Sequence, residues 1–459
     1  MSSSDPTEAI MQAFRTLGIM QPKPQQLKAV ESFVVDKEDV FVQLPTGFGK
    51  SACFQVLPLV YDAIKHTSPG YHMVLVVAPL LVIMEDQVGF LTTCGISCCS
   101  WSQLPQEQWE SEAQKAQVVF ATPESLFAKE QAAESVPAEN GGATAIPSSL
   151  PSTSTTSSVT GSRAKKGKIP AQRILKSSAF QNRCVALVVD EVHCIHKWGD
   201  EFRVEYSKLS TINAALGGKQ IMALTATATQ EILKTVRAKL VKEFVHIRED
   251  PSRPNLRLTV RPLTAANKML NDLLLELQHQ KGTFGRTVVF FHSFNLLGEA
   301  HRNAYDYLRP RGLLPFYASY HSLRKPKVLE KALEGMRKPE NGIRLMFASS
   351  AFGMGVNIPG ITRVWHIEAP HDVDDYVQQI GRAAREPGAT ALAILFSSRS
   401  ALRRCSKSMQ EFVNNTTICR HVFLKTFFEF PETVSNPAPL VSCCDVCHPD
   451  QEPPVAMEV

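Results

Sequence analysis

Long apolar segments are absent from the 459-residue sequence, and none approaches the ~20 residues that a membrane-spanning helix needs. The longest candidate, Met73–Met84, is interrupted by Pro79 and has the length of a strand. The N-terminus has no basic region followed by an apolar stretch, so no secretory signal is visible. We therefore expect an intracellular protein without membrane contact, whose 11 cysteines are thiols or metal ligands rather than disulfides.

The sequence also lacks a large excess of charge of either sign. The sequence has 49 Lys and Arg residues against 44 Asp and Glu residues, which gives a net charge of +5. This balance permits nucleic-acid binding without arguing for it, because whole-chain charge does not reveal patches. A hydrophobic content of 44% with 20% charged residues excludes a wholly disordered chain, and the length suits roughly three domains.

Apolar segments of strand length recur between helical patterns. Most are nearly continuous in Val, Ile, Leu and Phe, as in strands buried on both faces of a parallel sheet. They are Val40–Leu44, Val74–Ala78, Val118–Ala121, Ala186–Val189, Ile221–Leu224, Thr287–Phe291, Leu345–Ala348, Val364–Ile367 and Ala391–Phe396. The alternation predicts an α/β fold. Nine strands are many for one sheet, so we expect two sheets, with a hinge near the two prolines of Glu249–Leu256.

One segment has a different composition. Ala128–Gln172 is rich in Ser, Thr, Ala, Pro and Gly and nearly free of aromatics, which predicts a disordered insertion between two strands. Its basic cluster, Arg163–Lys168, is either a nuclear-import signal, a nucleic-acid contact or an ordinary solvated loop. Residues 449–459 resemble a tail.

The segment LPTGFGKS, Leu44–Ser51, follows a predicted strand and precedes a predicted helix, which is the setting of a phosphate-binding loop. Lys50 would reach the outer phosphates and the Ser51 hydroxyl would bind Mg²⁺. Leu44 replaces the first glycine of the pattern, so a plain glycine turn is the alternative. The loop residues that would cradle the phosphates are Thr46, Gly47, Phe48 and Gly49.

An acidic motif, DEVH, follows the apolar run at 185–189. Carboxylates at the C-terminal end of a buried strand lie where α/β sheets bind ligands. Asp190 suits a Mg²⁺ ligand, and Glu191 suits the base that orients and deprotonates the attacking water. His193 completes the motif and is a further catalytic candidate. Alone, such a pair usually marks a strand end, but with the phosphate loop it predicts an NTPase site.

Several blocks in one order resemble superfamily 2 helicases, and CIHKWGDEFR at 194–203 resembles the aromatic-rich loop of RecQ DNA helicases. The other matching blocks are Gln21–Gln26, Ala78–Leu80 with Asp86–Gln87, Ala121–Glu124, Ala223–Ala228, Ala351–Asn357 and Gln378–Arg385. The resemblance covers about residues 10–448 apart from the insertion. It implies two RecA-like parallel-sheet lobes, at 1–250 and 251–400, then a small helical zinc-binding subdomain at 401–448 and the tail.

The resemblance also assigns roles around ATP. Gln26 would hydrogen-bond adenine, and Gly355 and Asn357 belong to a nucleotide-binding motif of lobe two. Arg382 and Arg385, three apart in a predicted helix, would reach the γ-phosphate. Arg385 is the better arginine-finger candidate, which would act when the lobes close.

The resemblance also assigns DNA-binding residues, which lie in the aromatic-rich loop and after two strands of lobe one. Trp198 and Phe202 would stack on single-stranded bases while Arg203 contacts phosphates, and a core role for both rings is the alternative. Pro79 and Thr122 belong to blocks that track the strand.

Four cysteines fall near the end. Cys444 and Cys447 form a C-x₂-C pair, and with Cys419 and Cys443 they would complete a tetrahedral zinc site. The adjacent Cys443 and Cys444 are unusual spacing but resemble the Werner-type branch of the RecQ family. Four free thiols are the alternative.

Some positions depart from the family. Lys23 stands where Arg is usual, and Ile19 and Pro22 stand where aromatics are common, which predicts weaker nucleotide discrimination or affinity. Ala384 replaces a common glycine beside Arg385. Because about a dozen residues follow the cysteines, no winged-helix domain fits, and we expect only modest unwinding.

The sequence thus predicts an ATP-dependent 3′–5′ DNA helicase or translocase of repair and recombination, which uses ATP, Mg²⁺ and Zn²⁺. We expect it to be nuclear and to act as a monomer on single-stranded and forked DNA. Two alternatives stay open: a motor-derived DNA clamp with little turnover, and an RNA helicase.

Overall fold

The computed structural model describes residues 5–79, 81–128, 170–195, 208–263, 266–353, 358–386, 388–430 and 443–449. Two all-parallel β-sheets organise these residues, which confirms the predicted fold class. Among the described residues, no helix combines the length and the apolar character that crossing a bilayer requires.

The first sheet forms lobe one and has seven strands in the order β3-β4-β2-β5-β6-β1-β7. Its strands are β1 Val40–Gln43, β2 Met73–Val77, β3 Cys98–Ser100, β4 Val118–Ala121, β5 Cys184–Val189, β6 Gln220–Thr225 and β7 Val245–Arg248. Alternate residues of the central strand β2 enter opposite cores: Met73, Leu75 and Val77 pack on one face, Val74 and Val76 on the other. This two-sided burial is why the strand is apolar at every position.

Helices cover both faces of this sheet. Those of the first group, α1 to α5, pack on the Val74 face, and those of the second, α6 to α11, on the Leu75 face. The first group is α1 Pro6–Thr16, α2 Pro24–Val34, α3 Ala52–Gln55, α4 Leu57–Ile64 and α5 Leu81–Thr93. The second is α6 Trp109–Ala113, α7 Pro123–Phe127, α8 Pro170–Leu175, α9 Ser178–Arg183, α10 Leu209–Ala215 and α11 Gln230–Lys239.

The second sheet forms lobe two and has six strands in the order β10-β11-β9-β12-β13-β8. They are β8 Leu256–Pro262, β9 Arg286–Phe291, β10 Tyr317–Tyr320, β11 Leu345–Ala348, β12 Ile361–Ile367 and β13 Ala391–Ser397. Its main helices are α12 Ala266–Gln280, α13 Phe294–Leu308, α14 Pro326–Arg337 and α15 Val373–Ile380. Short 3₁₀ turns lie at Gln106–Gln108 in lobe one and at Lys281–Thr283, Arg309–Arg311, Leu314–Phe316 and Ser350–Gly353 in lobe two.

A C-terminal module of short helices, α16 Arg399–Leu402, α17 Lys407–Asn414 and α18 Arg420–Phe427, packs on one face of lobe two. Its last described segment pairs with strand β8, where the Leu258 N–H donates to the Cys443 carbonyl at 3.1 Å. The same module contacts the hinge through Lys425 Nζ, which lies 2.8 Å from an Asp250 carboxylate oxygen. It also contacts strand β7 of lobe one, where Arg248 Nη1 donates to the Glu429 carbonyl at 3.4 Å. The module therefore touches both sides of the hinge that joins β7 to β8.

All nine predicted strands are present, and the structure adds β3, β7, β8 and β10. Residues 129–169, most of the predicted insertion, lie outside the described residues.

Candidate active site

The glycine-rich loop connects β1 to α3. Gly47 has φ 82° and Gly49 has φ 91°, a left-handed backbone that only glycine adopts without strain. Leu44, which replaces the first glycine of the pattern, is fully buried, and its N–H donates to the Thr225 carbonyl at 3.2 Å. Leu44 therefore extends strand β1 into the core, and the tight turn begins only after it.

The loop opens onto a cleft of about 670 Å³ between the two lobes. Nine of the predicted phosphate, metal and catalytic residues line this cleft: Thr46, Gly47, Gly49, Lys50, Ser51, Asp190, Glu191, Arg382 and Arg385. Phe48 and His193 are not among its lining residues. Lobe two therefore supplies cationic side chains to a cleft whose phosphate loop and carboxylates come from lobe one.

The two carboxylates of the acidic motif have opposite pKa shifts. Burial, together with the negative charge of Glu191, raises the pKa of Asp190 to about 6. Burial alone would also raise the pKa of Glu191, but electrostatic interactions with Lys50, His193 and Arg382 lower it overall. Glu191 is thus the better-ionised carboxylate, as a general base requires, and Asp190 is poised to exchange a proton for a cation.

His193 connects the acidic motif to both lobes. Its Nδ1 lies 3.0 Å from the Thr225 hydroxyl and 3.4 Å from a Glu191 oxygen. The Thr225 hydroxyl donates to the Thr227 carbonyl at 2.8 Å, so it accepts from His193 Nδ1–H. His193 Nε2 is then an acceptor for the Gln378 amide of lobe two, 3.2 Å away. A single buried imidazole therefore links the carboxylate, the strand end of β6 and helix α15.

The two arginines follow helix α15 rather than lying within it, because the helix ends at Ile380. Arg382 is buried and donates from Nη2 to the Gly353 carbonyl at 2.5 Å, while burial lowers its pKa to about 10. Arg385 lies against the phosphate loop: a Cβ on Gly47 would stand 3.4 Å from its Cγ. The finger candidate therefore contacts the loop through the space that Gly47 leaves.

Arg253, in the hinge, was not predicted as a site residue, but it connects the phosphate loop with the segment that follows helix α15. It donates from Nη1 to the Thr46 carbonyl at 3.3 Å and from Nη2 to the carbonyls of Ala383, at 3.1 Å, and Ala384. Arg253 thereby joins the phosphate loop to the segment that carries Arg385. The only sequence signal was its place in the proline-containing hinge.

Of the other predicted nucleotide-binding residues, two lie at the phosphate loop and two lie outside the described residues. Gln26, at the start of α2, contacts the phosphate loop, where its Nε2 donates to the Gly49 carbonyl at 2.9 Å. Phe48 lies under the Lys23 ammonium, 3.9 Å from the ring centroid. Gly355 and Asn357 lie outside the described residues.

Two of the predicted DNA-binding residues lie at neighbouring strand ends. Pro79 is buried after β2. Thr122 follows β4 and caps helix α7 by accepting the Ser125 N–H at 3.2 Å. Trp198, Phe202 and Arg203 lie outside the described residues.

The four C-terminal cysteines form one cluster: Cys419, Cys443, Cys444 and Cys447 have Sγ atoms that all lie within 4.8 Å of one another. Three of the sulfur pairs are 3.9 to 4.0 Å apart. Tetrahedral zinc with bonds of about 2.3 Å has sulfur–sulfur edges of about 3.8 Å, so the cluster fits this ion. Beside it, Arg420 holds the Asp445 carboxylate through Nη2 at 2.9 Å, and this carboxylate also accepts the Val260 N–H at 3.0 Å. The cysteine loop is thereby fixed to strand β8.

Comparison with known proteins identifies both lobes. Residues 23–138 match the DEAD/DEAH box helicase family, and residues 265–386 match the helicase conserved C-terminal domain. The ATP-dependent DNA helicase RecQ of Haemophilus influenzae is 25% identical over 439 residues, which cover 89% of this chain and 59% of that protein. The ATP-dependent DNA helicase Q1 of Mus musculus is 25% identical over 452 residues, which cover 93% and 60%. The chain thus spans less than two thirds of the length of these relatives.

The fold also matches solved structures. The helicase Lhr of Mycobacterium smegmatis, solved with single-stranded DNA and AMP-PNP, superposes with a TM-score of 0.62 at 18% identity, covering 89% of this chain and 50% of that chain. Mss116p, solved with single-stranded RNA and AMP-PNP, gives 0.62 at 14% identity, covering 88% and 74%. At these identities the likeness establishes the shared fold alone.

Proposed function

We propose that this chain, which resembles the RecQ family of superfamily 2 helicases, is an ATP-dependent motor that moves 3′–5′ on single-stranded DNA and unwinds short duplexes. The observation that carries the proposal is the cleft, where lobe one provides Lys50, Ser51 and Glu191 and lobe two provides Arg382 and Arg385. A site divided between two lobes ties hydrolysis to lobe movement.

In this proposal each side chain has a defined task. Lys50 binds the outer phosphates of ATP, and Glu191 accepts the proton of the attacking water. Arg385 stabilises charge on the γ-phosphate as the lobes close. Ser51 and Asp190 are the residues that would hold Mg²⁺, which neutralises phosphate charge when bound.

The His193 network supplies a physical route from hydrolysis to lobe movement. Glu191 and Gln378, on opposite lobes, contact the same imidazole. Any displacement of helix α15 therefore changes the surroundings of the catalytic base. DNA bound across both lobes would favour the closed arrangement in which this chain of contacts is intact.

The remaining parts of the proposal rest on the resemblance to the RecQ family. The cysteine cluster holds zinc and stabilises the C-terminal module. Single-stranded and forked DNA are the substrates, the protein acts as a monomer in DNA repair and recombination, and it is nuclear.

The test measures ATP hydrolysis with and without single-stranded DNA, with Lys50→Ala as the blank. We expect strong stimulation by DNA in the wild type and none in the variant. Glu191→Gln should bind ATP and turn it over far more slowly, because the base is lost. Unchanged turnover in Glu191→Gln would refute the assignment, and DNA binding without hydrolysis above the blank would identify a clamp. Stimulation by RNA alone would identify an RNA motor.

A further inference from the structure

A second cavity of about 670 Å³ adjoins the phosphate cleft on the other side of Thr46 and Arg385. It is lined by Lys23 and Phe48 of lobe one and by the hinge residues around Arg253. Its size is in the range of about 300–1,000 Å³ that small-molecule sites occupy. Thr46, Gly47, Arg385 and Glu386 line both cavities, so a nucleotide whose phosphates lie on Lys50 has this second cavity beside it.

The side chain expected to recognise adenine is already bonded within the protein. Gln26 Oε1 accepts the Lys23 N–H at 2.8 Å at the start of α2. Its two amide protons point to the carbonyls of Gly49, at 2.9 Å, and Phe48, at 3.4 Å. An amide has only two N–H donors, so both are committed. Gln26 is also 3% exposed, and it therefore supports the phosphate loop instead of presenting a polar edge to a base.

The position that usually carries a flat guanidinium is also altered. The Lys23 ammonium lies over the Phe48 ring and donates to the Phe48 carbonyl at 3.3 Å. An ammonium is a compact charge that cannot stack on a base as a guanidinium does. Ile19, which lines the phosphate cleft, offers only apolar contact. Such contacts are similar for every base.

The remaining amide and carboxylate side chains that line the second cavity have protein partners among the described residues. Glu249 accepts from the Gln25 amide, Asp250 pairs with Lys425, and Glu386 accepts the Gly360 N–H. The Asn255 amide donates to two carbonyls, at 3.0 and 2.8 Å. A carboxylate can still accept an N–H from a base, but adenine, guanine, cytosine and uracil all offer one.

From these contacts we infer that the site binds the triphosphate and is tolerant of the base, so that its substrates are nucleoside triphosphates as a class and not ATP alone. This inference rests on the proposed function and deepens it. Binding strength comes from Lys50, Ser51, the loop N–H groups and Arg385, which meet the same phosphates in every nucleotide. A site that hydrogen-bonds a base edge rejects other bases strongly, whereas one without such bonds discriminates only weakly.

The experiment compares ATP, GTP, CTP and UTP in DNA-stimulated hydrolysis with Mg²⁺. Binding of ADP, GDP, CDP and UDP is measured in parallel by displacement of a fluorescent ADP. We expect the four kcat/KM values, and the four Kd values, to agree within about tenfold. A preference for the adenine nucleotide of 100-fold or more would overturn the inference. This comparison needs no variant, so it does not depend on a substituted protein folding.

The variant Gln26→Ala separates the two roles of this glutamine. If Gln26 stabilises the phosphate loop, kcat/KM should fall by the same factor for all four triphosphates. If Gln26 instead hydrogen-bonds adenine, kcat/KM should fall for ATP alone, which would contradict the inference. Gln25→Ala is the matched control, because the neighbouring amide contacts Glu249 and not the loop. Absence of binding by any nucleotide would refute the proposed function itself, whereas binding of ADP alone would refute only base tolerance.

Discussion

Removal of the Arg253 side chain is expected to weaken the closed arrangement of the lobes. Of its contacts, the hydrogen bond to the Thr46 carbonyl joins the hinge to the phosphate loop, and those to Ala383 and Ala384 hold the segment that carries Arg385. A hydrogen bond from a charged donor is worth about 1.5–3 kcal/mol. At 3.3 Å the bond to Thr46 is long, so the lower value, about 1.5 kcal/mol, is appropriate. This corresponds to a change of about tenfold in an equilibrium constant.

We therefore expect Arg253→Ala to lower the kcat/KM of DNA-stimulated ATP hydrolysis by at least about tenfold. Arg253→Lys should show a similar loss, because an ammonium lacks the fork that reaches both lobes at once. Steady-state hydrolysis is the assay, and thermal unfolding checks that each variant is folded. Arg311→Ala is the control, because among the described residues the Arg311 side chain contacts the ring and carbonyl of Tyr307 and not the hinge. Wild-type kcat/KM in a folded Arg253→Lys variant would refute this account of the hinge.

Three further outcomes follow from the site. Because the pKa of Asp190 is raised to about 6, this carboxyl takes up a proton as the pH falls through about 6, and the rate of hydrolysis should fall there. Excess Mg²⁺ competes with the proton for this carboxylate, so it should move the midpoint of the pH profile to lower pH. A midpoint that ignores Mg²⁺ would contradict this role. Gln378→Ala, which removes the contact with His193, should leave ATP binding unchanged but lower DNA-stimulated kcat about tenfold; equal stimulation in variant and wild type would argue against the link. Cys447→Ser should abolish stoichiometric zinc and lower the melting temperature, whereas the distant Cys98→Ser should change neither; full zinc content in Cys447→Ser would exclude the four-cysteine site.

The strands that the sequence predicted are those that lie inside the two sheets, where both faces are apolar. The four that it did not reveal, β3, β7, β8 and β10, all lie at sheet edges. An edge strand has fewer apolar neighbours and keeps polar side chains, as β8 does with Arg257 and Arg261. Composition therefore identifies central strands, and edge strands emerge only once their neighbours are in place.

Within the site, local motifs predicted which residues line the cleft but not how they are bonded. Lys50, Asp190 and Arg385 belong to compact blocks with fixed spacing, so their convergence could be predicted from the resemblance. The role of Arg253 depends on carbonyl groups more than 100 residues away on either side, at Thr46 and Ala384. Every residue has a main-chain carbonyl, so a sequence pattern cannot indicate which carbonyls accept a hydrogen bond from an arginine.

The substitution beside the finger candidate has a physical explanation in these bonds. Ala384 has φ 46°, a left-handed conformation that costs a residue with a Cβ roughly 1–2 kcal/mol and that glycine adopts freely. Three hydrogen bonds hold it there: its N–H donates to the Ile361 carbonyl at 3.0 Å, and its own carbonyl accepts from Arg253 and from Asn255. Strain of this size persists only where the surroundings over-determine the backbone. In this chain the direction of Arg385 therefore depends on the hinge arginine and on Asn255, and an alanine at 384 makes that dependence greater than a glycine would.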